Sequence, residues 1–153
     1  MAIRNIILSD NELLRKISKP VKVFDENLSI LLDDMYETMV KANGCGIAAV
    51  QVGVLKRVVI IETNGLKLEL VNPVITNSKG KQVSAEGCLS VKDIRGDVER
   101  PYEITVKAYD RYGNEMTITV CDFTAKAVCH ELDHLDGILF TDKMLPPKSK
   151  GKK

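Results

Sequence analysis

The sequence predicts one mixed domain in which two helices bracket a middle built from antiparallel hairpins. Three observations carry that expectation: an apolar stripe at helical spacing from Leu28 to Met39, β-branched runs separated by turn residues from Val58 to Val120, and a final periodic segment holding His130 and His134. At 153 residues and 44% hydrophobic content, the chain can bury one core but is too short for two ordinary domains. That domain is expected over residues 1–145, with a Pro- and Lys-rich tail, residues 146–153, expected to be disordered.

Taken in order, Asn11 to Lys16 forms a short helical turn that Pro20 ends. A longer helix starts near Asp25 and buries Leu28, Leu31, Leu32, Met35 and Met39; Asp33, Asp34, Glu37 and Lys41 face the other way, and Asn43-Gly44 stops it. The run Gly44-Cys45-Gly46-Ile47-Ala48-Ala49-Val50-Gln51-Val52-Gly53 follows, small side chains ending in one amide. Glycines around Cys45 free the main chain for an extended peptide or an oxyanion, or they make a tight turn; the run matches neither a P-loop nor GxGxxG.

Val58–Ile61 and Leu66–Val71 pair across the Asn64-Gly65 turn. Val74–Asn77 is expected to form a second hairpin with a strand from Val83, across Lys79-Gly80-Lys81, ending at Glu86-Gly87-Cys88-Leu89-Ser90. Cys88 then lies near a strand end. Alternation of Ile104, Val106 and Ala108, and of Met116, Ile118 and Val120, marks a third hairpin across Asp110–Asn114. The last helix is expected to be capped by Asp122 or Thr124 and to end at Gly137.

Charge narrows the function. Lys and Arg number 22 against 21 Asp and Glu, a net charge of +1, so no footprint for nucleic acid or an anionic membrane stands out. A small or neutral ligand is the expected partner. The opening Met1-Ala2-Ile3-Arg4-Asn5 has no signal-peptide core and no segment approaches membrane-spanning length, so a cytoplasmic protein is expected. Cys45, Cys88, Cys121 and Cys129 lack CxxC spacing, and in a reducing compartment they are free or metal-bound thiols.

The chemistry concentrates in His130-Glu131-Leu132-Asp133-His134, which uses both of the chain's histidines. Residues four apart share a helix face, so His130 and His134 can grip one metal ion while Glu131 borders it as a general base. A solvated polar helix face is the bland alternative. A third ligand is not settled by spacing: Cys129 points about 100° away from His130, Cys121 would have to fold back, and Cys45 and Cys88 both lie in Gly-containing segments that could reach the helix.

Three stretches, Gly44 to Gln51, Glu86 to Ser90 and His130 to His134, together resemble the three motifs of peptide deformylases in order and spacing. Similarity runs from Leu13-Leu14-Arg15 through Asn72-Pro73 and Arg100-Pro101 to Leu135-Asp136-Gly137, nearly the whole chain. The resemblance implies an α+β fold with antiparallel sheets packed around a central metal-binding helix. The implied activity is removal of the formyl group from N-formylmethionine on newly made polypeptides, at the ribosome, by a monomer. It implies Cys88, His130 and His134 as metal ligands with water in the fourth position, and Fe2+ as the ion in the cell, with Zn2+ or Ni2+ as substitutes in purified protein. Glu131 would be the base that moves the proton of that water, and the Gln51 side-chain amide with the Leu89 backbone amide would receive the oxyanion. Backbone at Cys45, Gly46 and Gly87 would pair with substrate as an added strand, while Cys45, Phe123, Ala127 and the Lys126 stem would border the methionine side chain.

Two positions depart from the family pattern: Val50 and Lys92 stand where proline is usual. Val50 frees φ beside Gln51 and bears on how well that amide is held. Glu86 and Asp133 are expected to support the ligands from behind, with Arg100 as partner of Asp133. Among rivals, a zincin-type peptidase needs a third ligand further downstream, where Asp142 is the sole acid; a closed, non-catalytic metal module leaves Gln51 and the glycine run without a role.

Overall fold

The computed structural model describes residues 2–147. Helix α1, Glu26–Lys41, is opened by Asp25, whose side chain accepts from the Leu28 N–H. It closes on Asn43 in the left-handed region (φ 60°), with Asn43 N–H bonded to Val40 O and Gly44 N–H to Met39 O. Its five stripe residues are all 4% exposed or less, each worth roughly 1.5–3 kcal/mol against exposure to water. One residue expected on the polar face is not there: Asp34 is 5% exposed, covered by the N-terminal segment, with Ala2 N–H and the Arg4 guanidinium donating to its carboxylate.

Strands β1 (Gly46–Ala48), β2 (Val58–Thr63) and β3 (Leu66–Lys79) are followed by β4 (Gln82–Cys88) and β5 (Val91–Arg100), then β6 (Glu103–Tyr109) and β7 (Glu115–Cys121). A five-stranded antiparallel sheet runs β1-β2-β3-β6-β7, and β4-β5 form a separate two-stranded sheet. The β2–β3 turn is Asn64-Gly65, both at positive φ (52° and 79°), the pairing a two-residue hairpin requires. Helix α2, Asp122–Leu135, lies between the two sheets.

The continuous β-branched run of β2 has a direct cause. Val58 and Ile60 pack with α1, whereas Val59 and Ile61 pack with α2, so both faces of the strand are buried and no polar alternation is allowed.

Two local expectations fail. No hairpin closes at Lys79-Gly80-Lys81: β3 continues through Asn72-Pro73 as one long strand whose second half pairs with β6, and β4 crosses to the small sheet instead. Asn72 at φ 52° and two register shifts bend β3, and the apolar alternation of β6 claims the edge that β4 would have used. Neither Asp122 nor Thr124 caps α2: the residue before the helix is Cys121, Asp122 donates its N–H to Tyr102 O, and the Thr124 hydroxyl pairs with that of Thr63. The far end behaves as read. Gly137 (φ 75°) donates to His134 O and Ile138 to Asp133 O, the pattern that satisfies the last helical carbonyls. The Pro- and Lys-rich tail lies, beyond residue 147, outside the described residues.

Candidate metal centre

Helix α2 presents His130, Glu131 and His134 on the side facing β1 and β4, and β4 delivers Cys88 at its end. The ligand atoms of Cys88, His130 and His134 lie within 4.8 Å of one another. Cys88 Sγ is 3.3 Å from His134 Nε2. His130 Nδ1 is 2.9 Å from Glu86 Oε1, which leaves Nε2 to face the thiol. One sulfur and two imidazole nitrogens converging without an intervening side chain suit a four-coordinate or open divalent site, so these residues fit the ion that the motif implies. The arrangement also separates the two cysteines that spacing left open: Cys45 lines the adjoining cavity and is not in this cluster.

Behind the histidines stands a buried ionic chain. Arg100, 3% exposed, donates through Nε and Nη2 to both oxygens of Glu86 (2.9 Å each) and through Nη1 to Asp133 (2.6 Å). Burial works against a charge on Glu86, yet Arg100 and His130 hold its pKa down to about 2. Burial likewise opposes a proton on His130, but the Cys88 and Glu86 side chains prevail and lift it to about 10. His134, buried beside His130 and Arg100, is pushed to about 3. The two rings are driven in opposite directions because only His130 also meets the Glu86 carboxylate. A metal ion bound here would require the thiol deprotonated and both imidazoles neutral.

Glu131 is buried, and its Oε1 has no hydrogen-bond partner among the described residues. Desolvation raises its pKa to about 7, His130 and Arg100 opposing and Glu86 and Asp133 adding, which suits a group that must take and return a proton near neutrality. Its carboxylate fits because Gly46 has no side chain: a Cβ there would stand 2.6 Å from Glu131 Oε2.

The opening beside these groups is a cavity of about 330 Å³, bordered by Cys45, Gly46, Gln51, Gly87, Cys88, Leu89, Phe123, Lys126, Ala127, His130 and Glu131. Every residue that the motifs imply for metal, proton transfer, oxyanion or substrate therefore borders one space, except His134, which lies behind it at 1% exposure. Gln51 Oε1 accepts from Ala48 N–H (2.9 Å), so Nε2 points toward Ser90 Oγ (3.1 Å) and Cys88 Sγ (3.6 Å). Lys126 is pinned, donating to Ser84 Oγ and Ala85 O, with its ammonium 4.9 Å from the Phe123 ring centre. Val50 is fully buried in the first turn of a short 3-10 helix, Ala49–Val52, where a backbone N–H has no helical acceptor to lose.

Sequence reasoning missed Arg95 and Ser90. Residues 92–95 bulge out of the β4–β5 pairing, Asp93 at φ 62°, and fold Arg95 over Gly87, where a Cβ would stand 2.6 Å from Nη1. Nothing local signals that bulge. Ser90 was visible as the last residue of its motif, but its role depends on Gln51, 39 residues away.

The chain matches the family described as Polypeptide deformylase over residues 3–150. It is 54% identical over 145 residues to a peptide deformylase of Caldicellulosiruptor bescii, covering 95% of this chain and 87% of that protein. The crystal structure of a peptide deformylase from Legionella pneumophila superposes with a TM-score of 0.91 at 44% identity, over 95% of this chain and 88% of that one. A Met-Ala-Ser-bound class I type b peptide deformylase from Acinetobacter baumannii gives a TM-score of 0.88 at 35% identity, over 93% and 98% of the two chains.

Proposed function

This chain belongs to the polypeptide deformylase family and removes the formyl group from the N-terminus of polypeptides, and we propose how its residues divide that work. Cys88, His130 and His134 hold a divalent ion, Fe2+ in the cell. When bound, the ion polarises the formyl oxygen and makes a water acidic enough to react near neutral pH. Glu131 accepts a proton from the attacking water. As the carbon–nitrogen bond breaks, it returns that proton to the departing amine, releasing formate and a free N-terminus. Gln51 Nε2–H and Leu89 N–H donate to the oxygen on which charge develops. Glu86 keeps the His130 ring in orientation, and Arg100, itself held in place by Asp133, keeps Glu86 ionised.

The substrate main chain lies as an added strand against Cys45, Gly46 and Gly87, and Cys45, Phe123, Ala127 and the Lys126 stem enclose the methionine side chain. Met-Ala-Ser bound to the Acinetobacter baumannii relative supports a peptide running from this cavity. Residues 1–145 form the catalytic unit; the chain works as a monomer on nascent polypeptides at the ribosome, in the cytoplasm. No helix among the described residues is long and apolar enough to cross a membrane.

The observation that carries this reading is the convergence of three ligand atoms beside one cavity that the Glu131 carboxylate and the Gln51 amide also border, Glu131 Oε1 having no hydrogen-bond partner among the described residues. Iron-loaded protein prepared without oxygen and given formyl-Met-Ala-Ser is expected to release formate. Protein stripped by a chelator is not, and equal release by both would overturn the metal assignment.

A further inference from the structure

Residues 2–9 belong to no helix or sheet, yet they are tied down at both ends. Near the start, Ala2 N–H donates to Asp34 Oδ1 (2.7 Å), Arg4 N–H to Thr38 Oγ1 (2.8 Å) and Arg4 Nε to Asp34 Oδ2 (2.9 Å), fixing the segment to α1. Further on, Ile7 N–H donates to Gln51 O and Ser9 N–H to Ser90 O, both at 2.8 Å. Those acceptors belong to two separate loops, and the same two residues meet side chain to side chain through Gln51 Nε2 and Ser90 Oγ, 3.1 Å apart. The result is a closed ring of hydrogen bonds: two N–H groups on one stretch of chain set the spacing of two carbonyls, and the side chains close the circuit. Gln51 and Ser90 are each 1% exposed, which shields their side-chain contact from water, while Ile7 is half-buried and Ser9 lies at the surface.

We propose that Ile7, Ser9 and Ser90 form a clamp that positions the Gln51 amide for the reaction. The inference rests on the reading of Gln51 Nε2–H as an oxyanion donor. With Oε1 held by Ala48 and one Nε2 hydrogen taken by Ser90, the second hydrogen is aimed to the side of Cys88 Sγ, 3.6 Å from Nε2, where the cavity begins. Without the clamp the amide can turn, and misplacement of a donor by about 1 Å is enough to cost on the order of a hundredfold in rate. These are positioning residues, since none of the three touches substrate.

The test uses metal-loaded protein with Ser90→Ala, which removes the acceptor oxygen at little change of volume, and Ser9→Pro, which removes the N–H. Each is made alone and in a Gln51→Ala background. Both single variants are expected to lose about ten- to a hundredfold in kcat with metal content unchanged and KM within about twofold. In the Gln51→Ala background the same changes should cost less than about threefold, because the group they position is gone. The two Gln51 Nε2 proton signals, distinct in the wild type by NMR, should broaden in Ser90→Ala. Losses of equal size in both backgrounds would mean general loosening and would overturn the clamp, as would wild-type kcat in Ser90→Ala, which decides the matter should Ser9→Pro not fold. Gln51→Ala with unchanged kcat would refute the oxyanion reading itself, a separate outcome.

Discussion

The functional weight of single residues is set here by what lies within hydrogen-bonding or packing reach of them. Glu131 has its pKa near 7 because it is buried, so Glu131→Gln keeps shape and metal while losing the proton acceptor. Turnover should fall about 10²- to 10⁴-fold with formyl-peptide binding little changed; near-wild-type formate release at confirmed metal occupancy would reopen the choice of base. Gly46→Ala should also be damaging without removing any reacting group, since its Cβ would press on Glu131 Oε2 and on Cγ and Cδ at 3.0 Å. A loss of kcat of about tenfold or more, with metal content retained, is the expected readout. Cysteines divide by position. Cys88→Ser should strip the ion, because a hydroxyl poorly replaces a thiolate, whereas Cys129, packed in the core with its thiol pushed up to about 11 by burial, should give a Cys129→Ser protein with full metal content. Metal analysis of the two variants separates them. Most of this was legible before any coordinates, because the three motifs carry their chemistry in residue type. Ser90 and the partners of Asp34 were not, since a polar residue's partner 30 or more positions away leaves no local periodicity to read.

At the scale of the element, α2 is fixed at its C-terminal end by Arg57, just before β2, and by Ser18, in the chain that precedes α1. Arg57 donates through Nη1 to Leu135 O (3.0 Å) and Ser18 O (3.2 Å) and through Nη2 to Asp136 (3.0 Å), and Ser18 N–H donates to Leu135 O. Gly137 cannot be replaced, because at φ 75° any Cβ would meet the Arg15 carbonyl. Arg57→Ala leaves the Ser18 carbonyl without its donor and Leu135 O with Ser18 N–H alone, a cost of about 1–3 kcal/mol, or roughly 2–12 °C in Tm for a domain of this size. Thermal unfolding checks it, and an unchanged Tm would show that water replaces the guanidinium. Helix and turn positions were readable here because their signals are local: Asp25 as cap, Asn64-Gly65 as turn, Gly137 as stop. The partner of β3 was not. Choosing β6 over β4 is a decision about long-range pairing, and a turn-like Lys79-Gly80-Lys81 looks the same whether or not the strands on either side of it pair.

For the whole molecule, the ion and the fold separate cleanly. The two core clusters close around β2 without recourse to the metal, and Glu86, Arg100 and Asp133 satisfy one another beneath it. Chelation is therefore expected to leave the far-UV circular dichroism spectrum unchanged while lowering Tm. The loss corresponds to the linkage term, about 2.7 kcal/mol at an ion concentration a hundred times its Kd. Collapse of the spectrum on chelation would make the ion a structural staple instead.

That the thiol comes from β4 and the imidazoles from the last helix also fixes a schedule. Cys88 and His134 are 46 residues apart. At a synthesis rate of roughly 5–20 residues per second, the sulfur is made about two to nine seconds before the second imidazole. During that interval the ribosome has produced one ligand of a site whose other two do not yet exist. On the proposed ligand set, metal capture is thus among the final events in this protein's synthesis, and every molecule passes through a brief youth with the Cys88 thiol made and its partner imidazoles still to come.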